Sequence, residues 1–299
     1  MAQLVVSIGA SKAGTTTLFE LMRQHPKVAV TSIKETNFFF DEAQFARGYA
    51  WFLGHYFADA AEREVLFEAD PVYMCSRASL ERIRGCDPAV RIIVMLRNPV
   101  ERAFSQWAYH VQLGRTSETF AQAIALEPER LAGESRAVNR WGYVERSRYG
   151  KYLDQVLQIF PRQQVRCIVF ERLMRDQSRE FAALTTWLGL PSAPIIPAHA
   201  NPTGRARSVR LARIMYDERL RAVRRAIAKP LGRGALKRTI LDYVERYNLV
   251  PYDQEDRPRL EPGLRQAILR DLEPDIALTE RLTGLDLSLW RVPQTAAAT

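Results

Sequence analysis

The sequence predicts an α/β fold in which a mostly parallel sheet lies between layers of helices, followed by a helical C-terminal part. Short apolar runs alternate with amphipathic stretches through residues 1–190, the pattern of strands joined by crossover helices. The first run leads through a glycine turn into a threonine-rich helix start, and after Pro191 helical periodicity replaces the strand-like runs. We therefore expect one domain over 1–299, with an α/β core at 1–190 and a helical extension at 191–299 packed on it.

The predicted strands are short and rich in β-branched residues. They cover residues 4–8, 28–30, 65–68, 91–96 and 165–170. The run at 91–96 is apolar after its first residue, which is typical of a strand covered on both faces. The segment 114–140 lacks a strong period, and we expect it to form an insertion over the sheet.

The predicted helices carry apolar residues at intervals of three and four. They cover residues 15–25, 43–56, 149–160 and 172–188 in the core, and 209–227, 236–247 and 262–282 in the extension. Pro26 and Pro161 stop two of the core helices, and Gly189 ends a third. Pro99 suits the first turn of a further helix that directly follows the strand at 91–96.

The composition is that of a globular protein, with 47% hydrophobic and 26% charged residues in 299. Cys75, Cys86 and Cys167 lack disulfide or metal spacing, which indicates a reducing compartment. No basic leader or long apolar segment precedes the first strand, so we expect a cytoplasmic location.

The net charge of +9 is concentrated in one block. Residues 205–238 contain twelve Lys and Arg and two acids, a local net charge of +10. Such a block indicates an anionic substrate, cofactor or membrane surface, although a solvated helix face would give the same pattern. It lacks the interleaved aromatics of single-strand binders, so we expect no nucleic-acid partner.

The segment 9–17, Gly-Ala-Ser-Lys-Ala-Gly-Thr-Thr-Thr, predicts an anion-binding loop between the first strand and the first helix. Backbone N–H groups and the positive end of the helix dipole point at one spot, and Lys12 adds a full charge. The loop is not a Walker A sequence, because its lysine precedes Gly14 instead of following it.

Two further segments contain candidate site residues. Arg97 lies at the tip of the strand at 91–96 and Ser105 lies about two turns into the next helix, where they could bind a second anion near the first. Glu35 follows Lys34 just after a predicted strand, before three phenylalanines at 38–40. These aromatics could wall the Glu35 carboxylate, or they could simply belong to the core beside a surface ion pair.

Together these segments resemble sulfotransferases that use 3′-phosphoadenosine 5′-phosphosulfate (PAPS), above all the heparan-sulfate type and its bacterial relatives. Residues 10–16 are similar to the 5′-phosphosulfate loop, residues 94–105 to the 3′-phosphate motif, and residues 34–39 to the segment with the catalytic base. The segments 171–190 and 285–290 also resemble family landmarks. The resemblance spans nearly the whole chain and implies a P-loop-like three-layer fold.

The resemblance implies in-line transfer of a sulfuryl group from PAPS to a hydroxyl or amine, with no metal ion required. It implies that Glu35 is the base and that Lys12 stabilises the negative charge that develops on the leaving 5′-phosphate. The implied cofactor contacts are Lys12, Ala13, Gly14, Thr15, Thr16, Thr17, Arg97, Ser105, Tyr149, Arg205 and Arg207.

The chain departs from the pattern at Ala69, where heparan-type enzymes have a lysine; either Lys12 and the arginines suffice there, or Lys34 substitutes for it. None of the four histidines stands where the cytosolic branch has its base. The resemblance leaves the acceptor open among an anionic glycan, a lipid and a natural product. Peripheral membrane contact through the basic helices is allowed, and the oligomeric state is not predicted.

Two alternatives to a sulfotransferase stay open at this stage. A P-loop kinase of a small metabolite would need ATP and magnesium, and the order of residues in the first loop disfavours it. A non-catalytic protein that uses the basic block at a membrane or other anionic surface would be indifferent to a nucleotide 3′-phosphate.

Overall fold

The computed structural model describes residues 2–58, 60–132, 137–198, 204–206, 249–251 and 258–292. Within these residues the central sheet has five strands, all parallel, which confirms the predicted α/β fold. The strands are β1 (Gln3–Gly9), β2 (Val28–Val30), β3 (Val65–Ala69), β4 (Arg91–Leu96) and β5 (Val165–Val169). Their spatial order is β2-β3-β1-β4-β5.

Helices join these strands and flank the sheet. They are α1 (Thr15–Gln24), α2 (Glu42–Phe45), α3 (Tyr49–Tyr56), α4 (Arg77–Cys86), α5 (Pro99–Gln112), α6 (Phe120–Ala125), α7 (Glu127–Leu131), α8 (Ala137–Trp141), α9 (Tyr149–Ile159), α10 (Phe170–Arg175), α11 (Gln177–Leu188) and α12 (Pro262–Thr283). Short 3₁₀ turns cover Tyr73–Cys75, Glu145–Ser147, Arg162–Gln164 and Ser288–Trp290. Helix α12 packs against α9 and α5.

The strand order indicates where on the sheet a ligand would bind. The chain builds the sheet outward on one side of β1 through β3 and β2, and on the other side through β4 and β5. In parallel sheets ligands bind beyond the carboxyl ends of the strands, where the order reverses. Here the loops that follow β1, β3 and β4 meet at that point.

Two predicted helices are each interrupted. The segment 43–56 forms α2 and α3, because the chain turns at Gly48, whose φ of +87° is left-handed. The segment 172–188 lies in α10 and α11, separated by Asp176, whose side chain accepts a hydrogen bond from the backbone of Arg179 at 3.0 Å and starts a new helix. Apolar periodicity continues across both breaks, so it could not show them.

The insertion and the extension differ in detail from the expectation. The segment 114–140, predicted only as an insertion over the sheet without a strong period, contains α6, α7 and most of α8. In the extension, Gly204–Ala206 and Leu249–Pro251 form an antiparallel pair that helical periodicity did not predict. Helix α12 confirms the predicted helix at 262–282.

The predicted helices at 209–227 and 236–247, with most of the basic block, lie outside the described residues. Among the described residues, no helix is both long and apolar enough to cross a bilayer. The three cysteines are free thiols.

Candidate active site

The loop between β1 and α1 has the features of an anion cradle. Gly14 begins α1 with a φ of +89°, and a Cβ there would lie 2.6 Å from the Phe170 ring, so glycine is required. No described side chain caps α1, which leaves its first N–H groups free to bind a ligand. The hydroxyl of Thr17, in the first turn, is buried without a hydrogen-bond partner. These groups fit a phosphate-type ligand.

Lys12 lies in the cradle loop, where its surroundings disfavour the charged form of its amine. Its backbone is left-handed, with a φ of +66°, and its amine lies 4.2 Å from the centroid of the Tyr109 ring. Burial, followed by the charge of Arg97, lowers the pKa of Lys12 to about 8. A bound anion would relieve both effects and hold the ammonium in its charged form.

The two predicted anion sites are in direct contact. The Arg97 guanidinium donates from Nη1 to the carbonyl of Lys12 at 2.9 Å and lies 4.9 Å from the centroid of the Phe170 ring. Burial lowers the pKa of Arg97, although an arginine stays charged. Ser105 lies in α5 one turn before Tyr109, on the side of the helix that faces Lys12.

The other predicted cofactor contacts lie in different surroundings. Tyr149 is buried, and its hydroxyl donates to the carbonyl of Arg97 at 3.0 Å, a position that fits support of Arg97. Arg205 is in the short strand Gly204–Ala206, and its side chain is not described. Arg207 lies outside the described residues.

An open cleft of about 240 Å³ brings Lys12 and Glu35 together. Glu35 has a left-handed φ of +60°, and Asn37, which also lines the cleft, has one of +57°. The Glu35 carboxylate pairs with the Lys34 amine at 2.5 Å and stays half-exposed. Left-handed backbone is costly for residues with side chains, and here three such residues border one cleft, as is typical of functional sites.

Asp70 holds the Glu35 turn from below and was not among the predicted site residues. Its two carboxylate oxygens accept hydrogen bonds from the backbone N–H groups of Asn37 at 2.8 Å and Val72 at 3.2 Å. Burial, and then the charge of Glu35, raise the pKa of Asp70 to about 7. An acid before proline at the end of a strand was the sequence signal for this position.

Phe38 and Phe39 are fully buried and pack against each other and Phe52. Their position agrees with the core alternative and not with a wall around Glu35. Next to them, the buried Glu68 accepts hydrogen bonds from the hydroxyls of Thr36 and of Tyr73, the latter at 2.9 Å. This network ties the Glu35 turn to β3.

We expect Glu68→Gln to stabilise the unliganded protein at pH 8 but not at pH 4.5. Burial, and then the charge of Asp70, raise the pKa of Glu68 to about 8, above its unfolded value. Stability that depends on the bound proton is therefore lost as the pH rises towards 8, and glutamine removes this loss. We expect a gain on the order of 1–2 kcal/mol at pH 8, measured by urea unfolding at both pH values. The same gain with Glu64→Gln, an exposed acid, would contradict this assignment.

Basic residues that sequence reasoning missed line the cleft, as Arg146 does, or lie behind it. Arg102, fully buried in α5, donates to the carbonyl of Ser11 at 3.4 Å and so supports the cradle. Arg146 donates to the carbonyl of Pro71 at 2.9 Å. Burial, with nearby arginines, lowers the pKa of His110 to about 3, so its ring is neutral at physiological pH. In the described part of the chain no group of three or more His, Cys, Asp or Glu side chains could hold a metal ion, and metal independence stays a prediction.

Known proteins with similar sequences point the same way as the geometry. A family model described as a sulfotransferase domain matches residues 3–202. Heparan sulfate glucosamine 3-O-sulfotransferase 6 of Mus musculus is 30% identical over 183 residues, which are 61% of this chain and 51% of that protein. The human 3-O-sulfotransferase 3B1 is 28% identical over 189 residues, 62% of this chain and 45% of that protein. The chain thus spans about half the length of these curated relatives.

A solved structure extends the likeness to nearly the whole chain. A sulfotransferase from Alicyclobacillus acidocaldarius superposes with a TM-score of 0.69, covering 98% of this chain and 100% of that one at 23% identity. At this identity the likeness shows the fold. The family model, which covers 200 of 299 residues, shows more: the chain belongs to the sulfotransferase domain family.

Proposed function

We propose that this protein is a sulfotransferase that moves the sulfuryl group of PAPS to a hydroxyl or amine of an acceptor. The observation that carries the proposal is the 2.9 Å hydrogen bond from Arg97 to the carbonyl of Lys12, which joins the two phosphate motifs beside the cleft that holds Glu35. Membership of the family supports it. An ordinary kinase loop would instead place its lysine after Gly14.

Different residues would bind the 5′-phosphate and the 3′-phosphate of PAPS. PAPS supplies an activated sulfuryl group whose leaving group is its 5′-phosphate. The N–H groups and hydroxyls at the start of α1 would hold that phosphate, and the Lys12 ammonium would balance the charge that develops on it. Arg97 and Ser105 would hold the 3′-phosphate, for which a planar guanidinium is well suited.

Glu35 would receive the proton of the acceptor at its carboxylate. The left-handed turn places Glu35 at the cleft, and the Lys34 amine pairs with its carboxylate at 2.5 Å and so orients it. The charge of Lys34 acts on both Lys12 and Asp70. Lys34 therefore lies near enough to substitute for the lysine that heparan-type enzymes have at the position of Ala69. The proposal needs no metal ion.

The acceptor would enter between the Glu35 turn and the basic side of the cleft. The sequence relatives are named for a glycan, so we propose a hydroxylated glycan as the acceptor class to assay first, and then anionic lipids and natural products. Peripheral membrane contact through residues 205–238 is a separate proposal, and most of this segment lies outside the described residues.

The test is the thermal shift of the full chain with 3′-phosphoadenosine 5′-phosphate (PAP), AMP, ADP and ATP-Mg. At 100 times its Kd, PAP should stabilise the protein by about 2.7 kcal/mol, while the same concentration of AMP should do far less. Equal shifts with AMP would rule out a 3′-phosphate site. A shift with ATP-Mg alone would indicate a kinase, and no shift with any nucleotide would indicate a non-catalytic binding protein.

A further inference from the structure

The C-terminal turn Ser288–Trp290 returns the chain to the junction of β4 and α5, immediately after Arg97. Trp290 is fully buried there, with a relative exposure of 0%. Its carbonyl accepts a hydrogen bond from the Asn98 amide at 3.0 Å, across 192 residues of sequence. The turn thus binds directly to the residue that follows the proposed phosphate ligand.

Glu171 closes a ring of hydrogen bonds between these residues. One of its oxygens accepts from the backbone N–H of Asn98 at 2.7 Å, and the other accepts from the indole Nε1–H of Trp290 at 3.2 Å. The Asn98 side-chain oxygen in turn accepts from the N–H of Val100 at 3.1 Å and caps α5. Every polar side-chain group in this ring is therefore engaged.

This ring and its neighbours hold Arg97 on three sides. The carbonyl of Arg97 accepts from Tyr149, and the Tyr149 ring packs on Trp290 with centroids 5.9 Å apart. The guanidinium of Arg97 lies over Phe170, the residue before Glu171. Within the described residues Arg97 forms no ion pair at contact distance, and Glu171 and Glu101 act on it only through longer-range charge, so these contacts and its hydrogen bond to Lys12 fix its position.

We propose that Glu171 and Trp290 are positioning residues that aim Arg97, so that the C-terminal turn determines selectivity for nucleotides with a 3′-phosphate. This inference rests on the proposed function, because it takes Arg97 as the 3′-phosphate ligand. A planar bidentate donor loses its advantage when its backbone shifts, since both N–H groups must meet the phosphate oxygens together. The 5′-phosphate cradle is built from the separate loop between β1 and α1 and meets Arg97 at the carbonyl of Lys12, so we expect a smaller effect there.

The test compares the affinities for PAP and AMP, by calorimetry on the full chain, in Trp290→Phe and Glu171→Gln. Phenylalanine keeps an aromatic ring but removes the Nε1–H donor, and glutamine keeps the shape of Glu171 but cannot accept both bonds. We expect each variant to bind PAP about tenfold more weakly, with AMP affinity changed less than about twofold. Arg97→Ala gives the loss expected when the 3′-phosphate contact is absent.

Leu272→Ala is the matched control, because it weakens the packing of α12 without touching the ring of hydrogen bonds. It should lower Tm and leave the PAP-to-AMP ratio unchanged. If wild type and Arg97→Ala have the same ratio, the proposed function fails. If Arg97→Ala loses the preference for PAP but Trp290→Phe and Glu171→Gln keep it, the proposed function stands and the positioning inference is wrong. Should Trp290→Phe not fold, Glu171→Gln decides alone.

Discussion

Glu35→Gln is expected to remove sulfuryl transfer almost completely while PAP binding stays unchanged. Glutamine has the size of glutamate but cannot take a proton from the acceptor, and a general base contributes about 10²–10⁴-fold to the rate. The Glu35 carboxylate pairs with Lys34, and within the described residues no hydrogen bond joins it to the α1 cradle or to Arg97. We therefore expect kcat to fall by that factor with the Kd for PAP within twofold of wild type.

Glu64→Gln is the control for this prediction. The Glu64 carboxylate pairs with Lys27 at 3.0 Å and is 51% exposed, close to the 50% of Glu35. It therefore matches Glu35 in exposure and in having a lysine partner, but it does not line the cleft. Full activity in Glu35→Gln would show that another group is the base, and Asp70, which lines the same cleft, would be the next candidate.

Lys12→Met is expected to lower kcat by about 10²–10³-fold, because the charge that develops on the leaving phosphate loses its nearest cation. The affinity for PAP should also depend on pH. With the pKa of Lys12 lowered to about 8, its charge is lost above that pH, so PAP binding by wild type should weaken between pH 8 and 10. In Lys12→Met this weakening should be absent, as calorimetry over the same range would show.

The same lowered pKa predicts a gain in stability for Lys12→Met. In the unfolded chain the amine titrates near 10.5, so below pH 8 the folded state carries an unfavourable charge that is relieved as the pH rises from 8 towards 10.5. At pH 7 the unliganded variant should therefore be more stable by on the order of 1 kcal/mol, measured by urea unfolding. Lys27→Met, at an exposed ion pair, should show no such gain; a less stable Lys12→Met would contradict the strained cation.

Local sequence was enough to predict the sheet, because each strand is a short apolar run that must be buried wherever it lies. The bounds of β2 and β4 match the prediction, and α1 and α9 agree to within one residue at their ends. The cradle was predictable for the same reason, since a strand, a glycine turn and a helix are contiguous in the chain.

The sequence alone determined the α/β class, and it predicted an anion cradle with Lys12 and the candidate residues Arg97 and Glu35, because each signal is local. Only the tertiary structure decided how these parts meet. Asp70 holds the Glu35 turn, Glu68 ties it to β3, and Trp290 reaches Asn98 across 192 residues. Such contacts join segments that are far apart in the chain, and local periodicity carries no information about them. Burial changes the pKa of Lys12 and of Glu68, and it arises only when the chain has folded.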